Sequence, residues 1–444
     1  MSRKYFGTDG VRGRVGQDPM TADFAMRLAS AVAQALIPDG GKALIGKDTR
    51  LSGYMFEAAL EAGFVAAGVD VLLLGPLPTP GIAQLTQQFD GDLGVVISAS
   101  HNSYNDNGIK FFDGQGAKLS DEIEAKIESF LDKPAITRES GRLGKATRID
   151  TARVRYQDFT ASTFPDDLTL DGLKVVFDGA NGAGYKVGPR VLGALGAEII
   201  PIGCSPNGLN INDGCGSTHP ELLQLTVPAV KADIGVALDG DGDRVVLIDE
   251  NGDLVDGDQI LYVLAMDRQQ RGALAGPVVG TVMSNLGLEH ALSKAGVEFL
   301  RAKVGDRYVL EGLRANGGIL GGETSGHMLV LDQTTTGDGL VCALQVLAVM
   351  VRTGKPLSEL VAGMPQYPQT MVNVRTEKRM NPDESSEIQA AVGQAEDQLA
   401  DTGRVVLRAS GTEPVIRVMV EGQDAGQVDQ IAKSLAEVVE SAAS

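Results

Sequence analysis

Three carboxylates at alternate positions, in Asp239-Gly240-Asp241-Gly242-Asp243-Arg244, are the strongest chemical signal in this chain. Like charges this close repel unless a cation sits among them. A calcium-binding EF-hand loop fails on detail. Its sixth position requires glycine and holds Arg244, and residues 245–248 read as a strand, although Glu250 falls at the twelfth place. An octahedral Mg²⁺ site with positions left for a phosphate oxygen and water fits better. Ser100 is a candidate for the remaining ligand. The run Val95-Val96-Ile97-Ser98-Ala99-Ser100-His101-Asn102 reads as a buried strand passing into a polar loop, where open α/β sheets carry reactive groups. A serine there can act as a nucleophile or carry a phosphoryl group, and a phosphoserine would complete the cation site. Taken alone, the same loop reads equally well as a polar turn.

Other groups have chemistry to offer. Lys110, in Gly108-Ile109-Lys110-Phe111-Phe112, stands beside apolar residues, where a lysine pKa falls and the amine becomes a base; the plain alternative is a strand-edge lysine. Arg408-Ala409-Ser410-Gly411-Thr412-Glu413-Pro414-Val415-Ile416-Arg417 concentrates two guanidiniums, two hydroxyls and free backbone N–H groups, the components of a phosphate nest. Its plain alternative is a hairpin with surface arginines. Glu323, Ser325 and His327 alternate in Gly321-Gly322-Glu323-Thr324-Ser325-Gly326-His327, so they could project to one side and meet sugar hydroxyls. Residues 179–184 look like a phosphate loop but match neither G-x-G-x-x-G nor a P-loop, and read as a tight strand-to-helix turn.

Positioning such groups requires sheets, and apolar runs alternate with helical patterns through most of the 444 residues. The expected fold class is α/β: three similar mixed-sheet α/β domains plus a smaller C-terminal α+β domain. The expected spans are 1–150, 151–254, 255–366 and 367–444. In the first, residues 43–46, 69–74 and 93–97 read as strands and 54–67 as a helix. Asp121 and Glu124 have capping-box spacing, and 133–148 looks like a charged connector. Strands follow at 174–178, 234–238 and 245–248, then at 278–282 and 318–320, with helices near 259–269 and 286–295. The last stretch reads strand, helix, two strands, helix.

The net charge of −19 argues against nucleic acid or an anionic membrane as partner, so an anionic substrate needs a local basic cluster. Cys204, Cys215 and Cys342 read as reduced thiols, and Cys204, Cys215 and His219 match no zinc spacing. The N-terminus has no signal-peptide pattern, and the apolar run 340–351 contains Gln345 and is too short to span a bilayer. A cytoplasmic protein is expected, with that run as a buried helix.

Together these motifs resemble the α-D-phosphohexomutase superfamily over the whole chain. The opening Tyr5-Phe6-Gly7-Thr8-Asp9-Gly10-Val11-Arg12-Gly13 and the run Asp106-Asn107-Gly108-Ile109-Lys110 belong to the same pattern. The resemblance implies an isomerase with four domains around a central active-site cleft. Ser100 would be carried as phosphoserine, and one Mg²⁺ per subunit would be held by Asp239, Asp241, Asp243 and the Ser100 phosphate. It places Arg12 and Lys110 at the reacting phosphoryl, with Lys110 as general acid/base; His101 is a further catalytic candidate, and Arg244 is expected to support the aspartates. Glu323, Ser325 and His327 would hold the sugar. Arg408, Ser410, Gly411, Thr412 and Arg417 would grip the non-reacting phosphate. The implied substrate is glucosamine 6-phosphate, converted to the 1-phosphate for cell-wall precursors, with glucosamine 1,6-bisphosphate as intermediate and primer. A homodimer and a kinase that primes Ser100 are left open. Rival readings are a phosphomannomutase/phosphoglucomutase, a phosphoserine-dependent phosphatase and a non-catalytic sugar-phosphate sensor. One departure from the family pattern is visible: Ser103 stands where proline is usual, which frees φ, suggests a more mobile loop and adds a hydroxyl open to stray phosphorylation.

Overall fold

Residues 4–7, 9–376, 380–409 and 414–443 are described in the computed structural model of the chain. Among the described residues four sheets follow one another along the sequence. The first has six strands in the order Val11–Arg14, Asp106–Asp113, Leu93–Ile97, Gly41–Lys47, Val69–Pro76 and Ala146–Arg148. Its first two junctions are antiparallel and the rest parallel. The second runs Leu254–Val255, Val245–Ile248, Ile234–Leu238, Lys174–Asp178, Glu198–Ile202, and the third Phe299–Ala302, Val278–Thr281, Leu320–Gly322, Met328–Val330; both are mixed. The fourth is fully antiparallel: Gln369–Arg375, Val415–Gly422, Gly403–Ala409. Three mixed α/β sheets and a smaller antiparallel unit are thus the observed architecture.

Unbroken apolar runs explain the central strands. Leu93–Ile97 and Ile234–Leu238 are buried at every residue, as expected of strands covered on both faces. Each lies parallel to a neighbour, and so does Leu320–Gly322. The loops carrying Ser100, Asp239 and Glu323 therefore all leave carboxyl ends of strands with parallel partners, the edge where such sheets expose ligand sites.

Several expectations change in detail. The helix Asp121–Leu131 is capped by Ser120, whose Oγ accepts from Ile123 N at 3.4 Å; Asp121 is already its first residue. The supposed connector supplies the edge strand Ala146–Arg148. The expected strand at 318–320 lies at Leu320–Gly322, so two glycines assigned to a loop pair in the sheet. The run 340–351 does form a buried helix, Gly339–Thr353, and among the described residues no helix is long and apolar enough to cross a membrane.

That helix begins directly under the aspartate loop. Gly339 N donates to the Gly242 carbonyl at 3.1 Å. Its cap, Asp338, accepts from Leu340 N and Val341 N at 3.0 Å each and from the Tyr156 hydroxyl at 2.7 Å. Burial raises the Asp338 carboxyl from 3.8 to about 6. A group whose folded pKa is raised contributes stability below its unfolded value and loses it as pH rises through the folded value. Asp338→Asn cannot titrate and keeps a capping oxygen. Its stability relative to the parent is expected to improve by up to about 3 kcal/mol between pH 4 and pH 8. Urea melts at the two pH values check this; a pH-independent difference contradicts it.

Candidate active site

The serine loop is held in place by its own backbone. Ser100 is buried, with φ at +51°, a left-handed conformation that side chains other than glycine adopt at a cost. Arg50, fully buried, secures it. One guanidinium nitrogen donates to the carbonyls of Ser100 at 3.0 Å and Asn102 at 2.9 Å; the other reaches the Ser103 carbonyl. Asn212, from the second sheet's unit, donates to the same Ser100 and Asn102 carbonyls at 2.9 and 3.0 Å. Ser98 Oγ accepts from Ser100 N at 2.9 Å and donates to Asp48 at 2.6 Å, while Asp48 pairs with Arg50 at 2.8 Å. The mobility expected from Ser103 is thereby offset: three loop carbonyls are tied to buried donors.

This frame aims Ser100 at the aspartates. Ser100 Oγ donates to Asp239 Oδ2 at 2.6 Å, and His101 Nδ1 lies 3.4 Å from the same hydroxyl. Asp239, Asp241 and Asp243 are all buried, and their ligand atoms lie within 4.8 Å of one another. Burial, then Asp241 and Asp243, push the Asp239 carboxyl well above its ordinary range. Asp241 Oδ2 accepts from Thr79 Oγ1 at 2.7 Å, whereas Asp241 Oδ1 and Asp243 Oδ1 are buried without a hydrogen-bond partner among the described residues. Orphaned anionic oxygens in so tight a cluster suit a hard divalent cation.

Lys110 departs from the sequence expectation. Its Nζ lies 2.8 Å from Asp9, 2.9 Å from Asp241 and 3.8 Å from Asp243. Burial would lower its pKa, but Asp241, Asp9 and Asp243 outweigh that and raise it. Lys110 is thus placed as a charge partner of the carboxylate cluster and not among apolar groups alone. Burial opposes ionisation of Asp9 too, yet Lys110, Lys118 and Arg12 hold its carboxyl far below the usual range. His101 behaves oppositely: burial, then Arg244 and Arg12, lower it to about 4 and keep the ring neutral at ordinary pH.

Ser100, His101, Arg12, Arg244, Glu323, His327 and Arg408 line one cleft of about 460 Å³. Ser325 and Arg417 instead border an adjoining cavity of about 250 Å³, to which Glu323 and Arg408 also contribute. The three alternating residues therefore do not share one side. Gly326, at φ +88°, turns the chain. His327 is buried with Nδ1 3.6 Å from Asp243 and Nε2 3.4 Å from Asp306, and Ser325 is exposed. Burial lowers the His327 pKa, but Asp243 and Asp306 raise it overall. Arg244 N donates to Asp239 Oδ1 at 3.2 Å, and its Nε is buried without a hydrogen-bond partner among the described residues.

Arg408 and Arg417 are directly paired across neighbouring strands. Burial and the Arg417 charge lower the Arg408 pKa, the mark of a cation pair suited to an anion. Ser410, Gly411 and Thr412 lie outside the described residues. The residues missed by sequence reasoning are Arg50, Asn212, Thr79, Asp9 and Lys118. Of these, Arg50 carried a usable signal, standing with Asp48 just past an apolar strand as Ser98 and Ser100 do, and Asp9 lay in the opening motif without a role assigned to it.

The chain is similar to known proteins along nearly its whole length. Models of the phosphoglucomutase/phosphomannomutase family match residues 3–137 (alpha/beta/alpha domain I), 155–252 (domain II), 256–367 (domain III) and 371–438 (C-terminal domain). The chain belongs to this family of phosphohexomutases. It is 57% identical to a phosphoglucosamine mutase of Nitrosococcus oceani, over 99% of this chain and 98% of the relative. It is also 57% identical to that of Alcanivorax borkumensis, over the full length of both. A crystal structure of a phosphoglucomutase/phosphomannomutase family protein from Burkholderia thailandensis superposes with a TM-score of 0.83 at 26% identity, covering 100% of this chain and 98% of that one.

Proposed function

We propose that this protein is a phosphoglucosamine mutase, an isomerase that interconverts glucosamine 6-phosphate and glucosamine 1-phosphate. The observation that carries the chemistry is Ser100 Oγ at 2.6 Å from Asp239 inside a buried three-carboxylate cluster. The choice of sugar is supported by relatives of that name at 57% identity over nearly the whole chain.

Phosphoserine 100 passes its phosphoryl group to the free hydroxyl of a bound sugar phosphate. The bond from phosphorus to the serine oxygen breaks as the bond to the sugar oxygen forms, and the proton that the sugar hydroxyl gives up is matched by the one that Ser100 Oγ takes. The resulting glucosamine 1,6-bisphosphate turns over in the cleft and returns its other phosphoryl to Ser100. Asp239, Asp241, Asp243 and the Ser100 phosphate would hold one Mg²⁺, which when bound supplies charge neutralisation to the transferring group. Lys110 and Arg12 add fixed positive charge beside it. Neutral His101 is placed to accept the Ser100 proton when the serine is rephosphorylated, a duty first expected of Lys110. Glu323 and Ser325 hold sugar hydroxyls, and Arg408 and Arg417, with Ser410, Gly411 and Thr412, hold the idle phosphate. The reading keeps the divisions 1–150, 151–254, 255–366 and 367–444 as functional units. It also keeps a cytoplasmic enzyme of cell-wall precursor synthesis.

Arg417→Ala is expected to raise KM about ten- to hundredfold with a smaller change in kcat, the worth of one charge-assisted contact; an unaltered KM contradicts its assignment. The function itself is tested by kcat/KM for glucosamine, glucose and mannose 6-phosphates with Mg²⁺ and a bisphosphate primer. Glucosamine should lead, and a lead by glucose or mannose would make the protein a phosphoglucomutase or phosphomannomutase instead.

A further inference from the structure

Residues 282–286 join two parts of the molecule. On one side they seat the C-terminal unit. The carbonyls of Val282 and Ser284 accept from the Arg404 guanidinium at 3.0 and 2.6 Å, and Leu286 N donates to buried Glu421 at 2.8 Å. The Asn285 side chain bonds both to the N–H and to the carbonyl of Tyr367, each at 3.0 Å. Tyr367 lies just before Gln369–Arg375, the first strand of the unit that carries Arg408 and Arg417.

On the other side Asn285 N donates to Asp258 Oδ2 at 2.9 Å. The same oxygen accepts from the Thr324 hydroxyl at 2.8 Å. Thr324 stands between Glu323 and Ser325, and its carbonyl accepts from Gly257 N at 3.1 Å. A Cβ on Gly257 would run into the Glu323 carbonyl, so the helix Gly257–Gln270 starts pressed against the sugar loop. Asp258, in the first turn of that helix, is fully buried, and its Oδ1 has no hydrogen-bond partner among the described residues.

We propose that Asp258 is a positioning residue that sets the spacing between the sugar loop and the unit holding the idle phosphate. The inference rests on the mutase reading above. A hexose phosphate is nearly rigid, so groups gripping its ring and its phosphate must stand a fixed distance apart, and small misplacements cost rate steeply. One carboxylate oxygen taking donors from both segments is a direct tie between them. Asp258 touches neither substrate nor reacting atoms. It acts through Thr324 and Asn285.

The test uses full-length phosphoenzyme, labelled at Ser100 with a sugar bisphosphate. Two single-turnover rates are read: transfer to glucosamine 6-phosphate, which needs both anchors, and hydrolysis without sugar, which needs neither. Asp258→Ala and Thr324→Val are each expected to slow transfer about tenfold and leave hydrolysis unchanged, the effect of one lost hydrogen bond at a tightly constrained site. Asp258→Asn keeps an oxygen in the place of Oδ2 and should stay within about twofold of the parent. The double variant should be no slower than Asp258→Ala, because both changes act through one oxygen. Parental transfer in both single variants, an equal fall in transfer and hydrolysis, or additive effects would overturn the tie. If Asp258→Ala does not fold, Thr324→Val, which removes only a hydroxyl, decides alone. A parent phosphoenzyme that transfers to no sugar phosphate counts against the mutase reading; unchanged transfer in the variants counts against Asp258 alone.

Discussion

Ser100→Ala should form no phosphoenzyme and should lose mutase turnover by ~10⁴-fold or more, as when a nucleophile is removed from its unit. The loss is chemical and not structural. Alanine keeps the N–H that Ser98 Oγ accepts and the carbonyl that Arg50 and Asn212 hold. The deleted hydroxyl served Asp239, whose carboxyl burial already pushes toward the protonated form. Stability should therefore fall by only about 1–2 kcal/mol, the cost of one buried hydrogen bond. Incubation with a sugar bisphosphate followed by peptide mass spectrometry reads the first effect and a coupled assay the second. Turnover at the parental rate would overturn the assignment, as would a phosphate carried on another loop hydroxyl such as Ser103 with activity retained.

The second large effect is expected at a residue far from obvious chemistry. Arg50→Met removes a buried guanidinium that binds three loop carbonyls and the Asp48 carboxylate. Losing one partner of such a pair costs about 3–5 kcal/mol, because the other is left buried and unpaired. Asp48 would respond by taking a proton: burial already raises its carboxyl, and the Arg50 charge is the main restraint on that. The left-handed Ser100 would lose the ties that keep it so, and turnover should fall about 10²-fold through misplacement of its oxygen. Arg50→Lys should not rescue it, since an ammonium cannot span carbonyls set out for a planar fork. Thermal melts and kcat check both; a parental melting point with parental kcat would sink the argument.

Chemistry placed at strand ends was legible in the sequence; chemistry assembled between distant segments was not. Ser100 and Asp239 follow unbroken apolar runs, so their position at a sheet edge could be read locally. Lys110 also sits in an apolar run, which made a desolvated, lowered pKa the natural inference. Its decisive neighbour Asp241 is 131 residues away and reverses the sign. The alternation of Glu323, Ser325 and His327 misled for a different reason. Alternating side chains share a face only while the backbone stays extended, and Gly326 at +88° ends that. Thr79 and Asn212 are common turn residues with no local mark of their role, because what they bind comes from other units.

The fourth unit has an apolar cluster of its own, drawn only from residues 372–442. Its seat on the third unit runs through Arg404, Glu421, Asn285 and Tyr367, groups that water can serve almost as well. Lifting this unit away would wet charges and amides, and with them Met371, Val406 and Met419, which border a cavity shared with Met283 and Val304 of the third unit, and would leave its core closed. The apolar surface uncovered at this seam would be a few side chains set among charges, and the fourth unit's own core would stay intact.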